Sequence, residues 1–433
     1  LREVLRSAPR LLSGPDKTSP CGSAQVGWAI TAARPGSWKP VPAVCFSVRT
    51  RTFCGDGPVP FLHLPRAMPL RRPLAGAALL VLCPLALSAQ QRVPRDPVTL
   101  ANEGAAALEA RRFGEALEAF TEAARLMPRD PSLAFGVGLA AFMMGQNDEA
   151  EVWFERSLKL DPRFVGSSLW LGELQYREGR IKEAIATYES ALKRSPDAQQ
   201  LEDRLVEWRK ETELHDKFYE SRGAHFIVLF EGPADEALAR RIVEYLEEAY
   251  WRVGSALTAY PPKPITVVLY TTEQFRDITR LPTWTAAAYD GRIRMPVRGA
   301  LEQSEQLDRV LTHEFVHAVV AMLGGRNVPV WLNEGLASVF EPAGVENAER
   351  VLARTSGRPP LQQLHGSFFG LSAAQAAVAY AFSTFAVQRM IDLRGAPAVV
   401  QLLQDVARGG DFPAAFQQRI AMRYEDFQLM VSR

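Results

Sequence analysis

Between Pro97 and about Ala198 the chain repeats itself every 34 residues, and this period limits the fold more than any other feature of the sequence. Pro128, Pro162 and Pro196 are 34 apart, as are Ala116, Ala150 and Ala184, the aromatics Phe120, Phe154 and Tyr188, and the glycines Gly104, Gly138 and Gly172. Four columns in register mark a repeated supersecondary unit. A unit of this length holds two helices and cannot bury its apolar face alone, so neighbours must stack. Small residues then mark close crossings, the aromatic fills the space between repeats, and proline ends the second helix. The expectation for 97–198 is an all-α superhelix of three helical pairs. In the following "QQLEDRLVEWRKETELHDKFYES", Leu201, Leu205, Trp208 and Leu214 share one side, which reads as the terminal solvating helix of a solenoid over 199–222.

The repeated segment resembles three tetratricopeptide repeats. The resemblance implies a concave face that binds peptide segments or a protein partner; bracing or capping the neighbouring domain is an equally simple role. After the repeats the texture changes. "HFIVLF" (225–230) and "PITVVLY" (264–270) read as strands around an amphipathic helix from about Ala234 to Leu257, and "GRIRMPV" (291–297) as a third strand. Helical patterns then run to the end. Strands first and helices afterwards give an α+β order, so the chain is expected to be multidomain.

Of 50 basic and 49 acidic residues, 11 and 3 precede position 90, leaving 39 against 46. That balance carries no basic footprint for nucleic acid. The first methionine, Met68, opens "MPLRRPLAGAALLVLCPLALSAQQ". Two arginines, an apolar run from Leu74 to Leu87 and small residues at Ala86, Ser88 and Ala89 have the three parts of a secretory signal peptide over 68–89, cleaved near Ala89. The run falls short of the ~20 residues that span a bilayer; membrane attachment is expected only if the segment is retained. The mature chain is expected in the periplasm or outside the cell. Residues 1–67 read as an upstream extension of the gene model or a disordered leader, and 90–96 as a linker. Cys21, Cys45, Cys54 and Cys83 all precede the cleavage point, so cysteines neither support nor exclude export.

The chemistry concentrates in "RVLTHEFVHAVVAML" (309–323). Residues four apart on a helix project side by side, about 6 Å apart along the axis, so His313 and His317 can share one zinc ion while Glu314 reaches a water on it. Two imidazoles and a carboxylate amid Leu311, Phe315 and Val319 would be costly to bury unpaired. In "VPVWLNEGLASVFE", Glu334 stands 17 positions after His317, far enough for the chain to leave through "GGRN" and return. A carboxylate there completes a two-histidine, one-glutamate site with its fourth position open.

The linked pair H-E-F-V-H and W-L-N-E-G-L-A resembles the gluzincin metallopeptidases, and 223–433 is similar to exported peptidase MA-like domains that follow tetratricopeptide repeats. The resemblance implies a small sheet, an active-site helix and a mostly helical remainder. It also implies one zinc per chain held by His313, His317 and Glu334, Glu314 as general base, and a peptide or protein substrate. Ala379, Tyr380 and Ser383 match an A-Y-x-x-S signature of similar domains, which makes the Tyr380 phenol a donor to the developing oxyanion or a core residue. Gly291 to Val297 matches in position the edge strand on which such enzymes lay extended substrate; the other reading is an ordinary edge protected by Arg292 and Arg294. Thermolysin-like enzymes carry an aspartate four residues after the glutamate ligand, and here Ser338 stands there. Orientation of the histidines must come from elsewhere, with Asn333 and Glu341 as candidates. His215, His225 and His365 read as structural or solvated. The alternatives are an inactive peptidase-like scaffold whose repeats do the work, and a zinc hydrolase of non-peptide amides.

Overall fold

The computed structural model describes residues 96–279, 287–296, 304–355 and 357–432. The readings placed on 1–95, and Val297, lie outside the described residues. Six helices make three pairs: α1 (Pro97–Glu109) with α2 (Phe113–Leu126), α3 (Pro131–Met143) with α4 (Asn147–Leu160), and α5 (Val165–Arg177) with α6 (Ile181–Arg194). Asp96 and Asp130 start α1 and α3, their carboxylates accepting from Thr99 N at 3.1 Å and Ser132 N at 2.8 Å, each before a proline in the first turn. The glycine and aromatic columns prove to be two halves of one contact. A Cβ on Gly104 would come within 2.9 Å of the Phe120 ring, on Gly138 within 2.7 Å of Phe154, and on Gly172 within 2.3 Å of Tyr188. Only glycine lets the second helix seat its ring against the first.

Helix α7 (Gln199–His215) packs on α6, and its Trp208 lies 4.8 Å from the Tyr176 ring and 4.5 Å from that of Tyr188. It is not the solvating end of the solenoid. Its outer face buries Glu211, 3% exposed, against the sheet that follows. That sheet comprises β1 (Tyr219–Arg222), β2 (Phe226–Phe230), β3 (Ile265–Tyr270), β4 (Ala288–Tyr289) and β5 (Ile293–Pro296) in the order β1-β2-β3-β5-β4. β2, β3 and β5 are parallel; β1 and β4 pair antiparallel at either side. α8 (Glu236–Leu257) connects β2 to β3, preceded by a 3₁₀ turn at Pro233–Asp235, so it begins two residues later than its sequence pattern. α9 (Thr272–Thr279) follows β3. The strand 291–297 was expected at an edge, and the structure overturns this. β5 lies between β3 and β4, and β4 is the outer strand among the described residues. Arg292 and Arg294 do not guard an edge either: they are 2% and 1% exposed.

The remaining helices are α10 (Ser304–Gly324), α11 (Val330–Phe340), α12 (Gly344–Leu352), α13 (Ala373–Arg394), α14 (Ala396–Ala407), α15 (Phe412–Ile420) and α16 (Tyr424–Ser432). Phe226, Val228 and Phe230 of β2 share one core with Ile242, Leu246 and Val253 of α8 and with Leu311, Phe315 and Val319 of α10. The site helix is thereby fixed to the sheet. The repeats and this part form one compact unit. Gly114 N donates to Arg408 O at 2.8 Å, Arg326 N to Met143 O at 3.2 Å, and the Arg326 guanidinium lies 3.7 Å over the Phe142 ring. No helix among the described residues is long and apolar enough to cross a membrane.

Candidate metal centre

α10 carries His313 and His317 on one face, their rings 4.7 Å apart and nearly perpendicular. The chain turns after Gly324 and returns as α11, which brings Glu334 to them. Its Oε2 lies 3.3 Å from His313 Nε2 and 3.5 Å from His317 Nε2, yet makes no directed hydrogen bond to either. Donors about 2.0–2.1 Å from a tetrahedral centre are about 3.3–3.4 Å apart, so the separations are those of three ligands facing one ion. These residues are the group among the described residues whose donor atoms suit a metal, all within 4.8 Å of one another.

Electrostatics agree. Burial alone disfavours the imidazolium, but Glu334 and Glu341 overcome it and hold His313 well above its ordinary value; His317 is raised by Glu334 in the same way. Burial pushes Glu334 up, and the two histidines more than reverse it, leaving the carboxyl far below the usual range. The space between these groups favours positive charge. Glu334 Oε2 and Glu314 Oε2 are buried polar atoms without a hydrogen-bond partner, the condition a cation relieves. The residues present therefore fit a zinc ion.

The orientation left open by Ser338 is settled by the two candidates. His313 Nδ1 lies 2.6 Å from Glu341 Oε1, and His317 Nδ1 lies 3.0 Å from Asn333 Oδ1. With Nδ1 of His313 donating to Glu341, Nε2 is the nitrogen turned towards Glu334, and in the neutral tautomer that a metal selects it offers its lone pair. The chain reverses after Phe340 through Ala343 in the left-handed region, φ 54°, and this reversal sets Glu341 beside α10. Ser338 itself is buried and lines the cleft. Gly335 has a packing reason: a Cβ there would meet Ser383 O at 2.5 Å, so the glycine lets α11 lie against the α13 backbone next to Glu334.

A cleft of about 450 Å³ opens beside His313 and Glu314, walled by Val310, Ala348, Val351, Ala381 and Tyr380. The Tyr380 ring stands 6.4 Å from His313. The Glu334 carboxylate, then burial, hold its phenol well above the ordinary value, so it remains a proton donor. Ser383 of the same signature is fully buried and is not part of the cleft lining. Sequence reasoning missed Arg309, which lines the cleft 3.6 Å from Glu341, and Ala287, which lines it from the sheet; neither residue type carries a signal. His225 pairs with Glu247 at 2.6 Å, His365 with Tyr424 at 2.9 Å, and His215 with Tyr270 at 2.8 Å. All three stand apart from the metal cluster.

Two tetratricopeptide-repeat family models match the chain, over residues 102–163 and 141–205. The segment thus carries repeats of that family, which are modules of protein–protein interaction. Neither match reaches the histidines. No curated protein matches the chain. Among solved structures it is similar to the first tetratricopeptide-repeat domain of Spaghetti (RPAP3) bound to the HSP90 peptide SRMEEVD, at 18% identity and TM-score 0.26, over 27% of this chain and 95% of that one.

Proposed function

We propose that this protein is an exported zinc metallopeptidase, acting as an endopeptidase, with a tetratricopeptide-repeat module for a protein partner. The observation that carries the reading is the convergence of His313, His317 and Glu334 on one point, with Glu314, whose buried Oε2 has no hydrogen-bond partner, beside His313 in the cleft lining. His313, His317 and Glu334 would hold zinc, whose Lewis acidity lowers the pKa of water and polarises a carbonyl. Glu341 and Asn333 fix the imidazole tautomers and directions. Glu314 takes the proton of the attacking water and returns it to the leaving amine; burial raises its carboxyl above the ordinary value, which suits a group that both takes and gives a proton. Tyr380 donates its phenol hydrogen to the oxygen that gains charge. The cleft walls supply an apolar place for a substrate side chain.

The test is metal analysis of the purified chain beside His317→Ala, with casein cleavage on both. About one zinc per chain, lost with cleavage in the variant, is the expected result. Absence of zinc refutes the proposal; zinc without peptide cleavage moves the assignment to a scaffold or to a hydrolase of non-peptide amides.

A further inference from the structure

The hairpin β4–β5 borders the cleft: Ala287, just before β4, lines it beside His313 and Glu314, and α10 packs against β4. Besides its ladder with β3, the hairpin is tied to the solenoid. Arg294 of β5 donates to Glu211 of α7 at 2.8 Å, to Tyr176 of α5 at 2.8 Å, to Tyr270 of β3 at 2.6 Å and to Asp290 in the hairpin turn at 2.9 Å. Tyr176 donates in turn to Glu211 at 2.6 Å. Arg292 pairs with Glu211 at 3.2 Å and lies 4.6 Å from the Tyr176 ring. Gly291, at φ 109°, sits so close to the last turn of α5 that a Cβ would meet Arg177 O at 2.1 Å.

Two arginines and two acids balance in charge, yet such a buried cluster adds little net stability over apolar packing, because desolvation offsets the attraction. What it adds is direction: the planar Arg294 guanidinium, hydrogen-bonded through each of its three nitrogens, fixes β5 against α5 and α7 in one register. The first two repeats dock through other contacts, Gly114 on Arg408 and Arg326 on Met143, with Asp148 of α4 paired to Lys263 ahead of β3 at 2.7 Å.

We infer that the third repeat and α7 position the cleft edge, with Tyr176 and Glu211 as positioning residues that act through Arg294 and Asp290 on the β4–β5 hairpin. This assignment of a catalytic consequence rests on the peptidase reading.

The experiment compares the full chain with Tyr176→Phe and Glu211→Gln by amide hydrogen exchange, zinc content and peptide-cleavage kinetics. Exchange over 287–296 is expected to rise roughly 10- to 100-fold, the loss of buried hydrogen bonds to charged groups. In Tyr176→Phe, which keeps the Glu211 charge, protection of 226–230 and 311–320 and the zinc content stay as in wild type, and KM rises with kcat held; in Glu211→Gln the hairpin rise exceeds any rise in the core segments. Unchanged exchange at the hairpin in both variants, or an equal rise in 226–230 in Tyr176→Phe, overturns the inference. Should Glu211→Gln fail to fold, Tyr176→Phe, which keeps the ring, decides alone. A wild-type chain with neither zinc nor cleavage refutes the peptidase reading, while the exchange pattern still decides whether the solenoid holds the hairpin.

Discussion

Replacing Glu341 isolates the residue that orients His313. Glu341→Gln keeps an acceptor oxygen where Oε1 now lies 2.6 Å from Nδ1, and removes only the charge. A hydrogen bond to a charged group contributes about 1.5–3 kcal/mol against about 0.5–1.5 for a neutral one. The difference, roughly 1–1.5 kcal/mol, is about a tenfold loss of zinc affinity, and Glu341→Ala, which removes the acceptor, carries the loss towards about 100-fold. Arg309 is the control: it lies 3.6 Å from Glu341 but is 43% exposed, so Arg309→Ala lowers affinity less than about threefold. Zinc affinity is measured by competition with a chromogenic chelator at neutral pH. Wild-type affinity in Glu341→Ala, or an equal loss in Arg309→Ala, refutes the assignment of Glu341 as the group that orients the ligand.

Gly335→Ala drives a methyl to 2.5 Å from Ser383 O, so urea unfolding should show a loss of about 1–3 kcal/mol, with weaker zinc binding because Glu334 is its neighbour. Gly291→Ala meets both a φ of 109° and the Arg177 carbonyl; a comparable loss of about 1–3 kcal/mol is expected in the same measurement. The Glu211 carboxyl is raised by burial but pulled far below its ordinary 4.5 by Arg294 and Arg292. A depressed carboxyl contributes stability above that ordinary value and loses it as the pH falls towards the folded one. Glu211→Gln, which leaves two buried arginines short of a partner, should therefore cost about 3–5 kcal/mol at pH 7, and the gap to wild type should close as unfolding is followed below about pH 4.5; a gap that is constant with pH contradicts the ion-pair account.

What the sequence carried, and what it did not, follows from range. The repeats were legible because each contact that makes them, Gly138 with Phe154 for instance, recurs at one spacing. The strands at 226–230 and 265–270 were legible from local pattern. β4 was not, because two residues carry no period, and without it β5 passed for an edge. Arg292 and Arg294 looked like edge charges because their counter-ion, Glu211, lies 81 and 83 positions away on a helix that reads as polar. Glu341 and Asn333 could be named only as candidates, since which side chain reaches a histidine Nδ1 depends on the turn at Ala343 and on the depth at which α11 packs on α13.

The most direct test of the central claim is Glu314→Gln, assayed for zinc and for casein cleavage beside wild type. Glu314 is not among the converging ligands, so the variant should hold about one zinc per chain while cleavage falls by roughly 10²–10⁴. A zinc-loaded Glu314→Gln that cleaves like wild type would contradict the account.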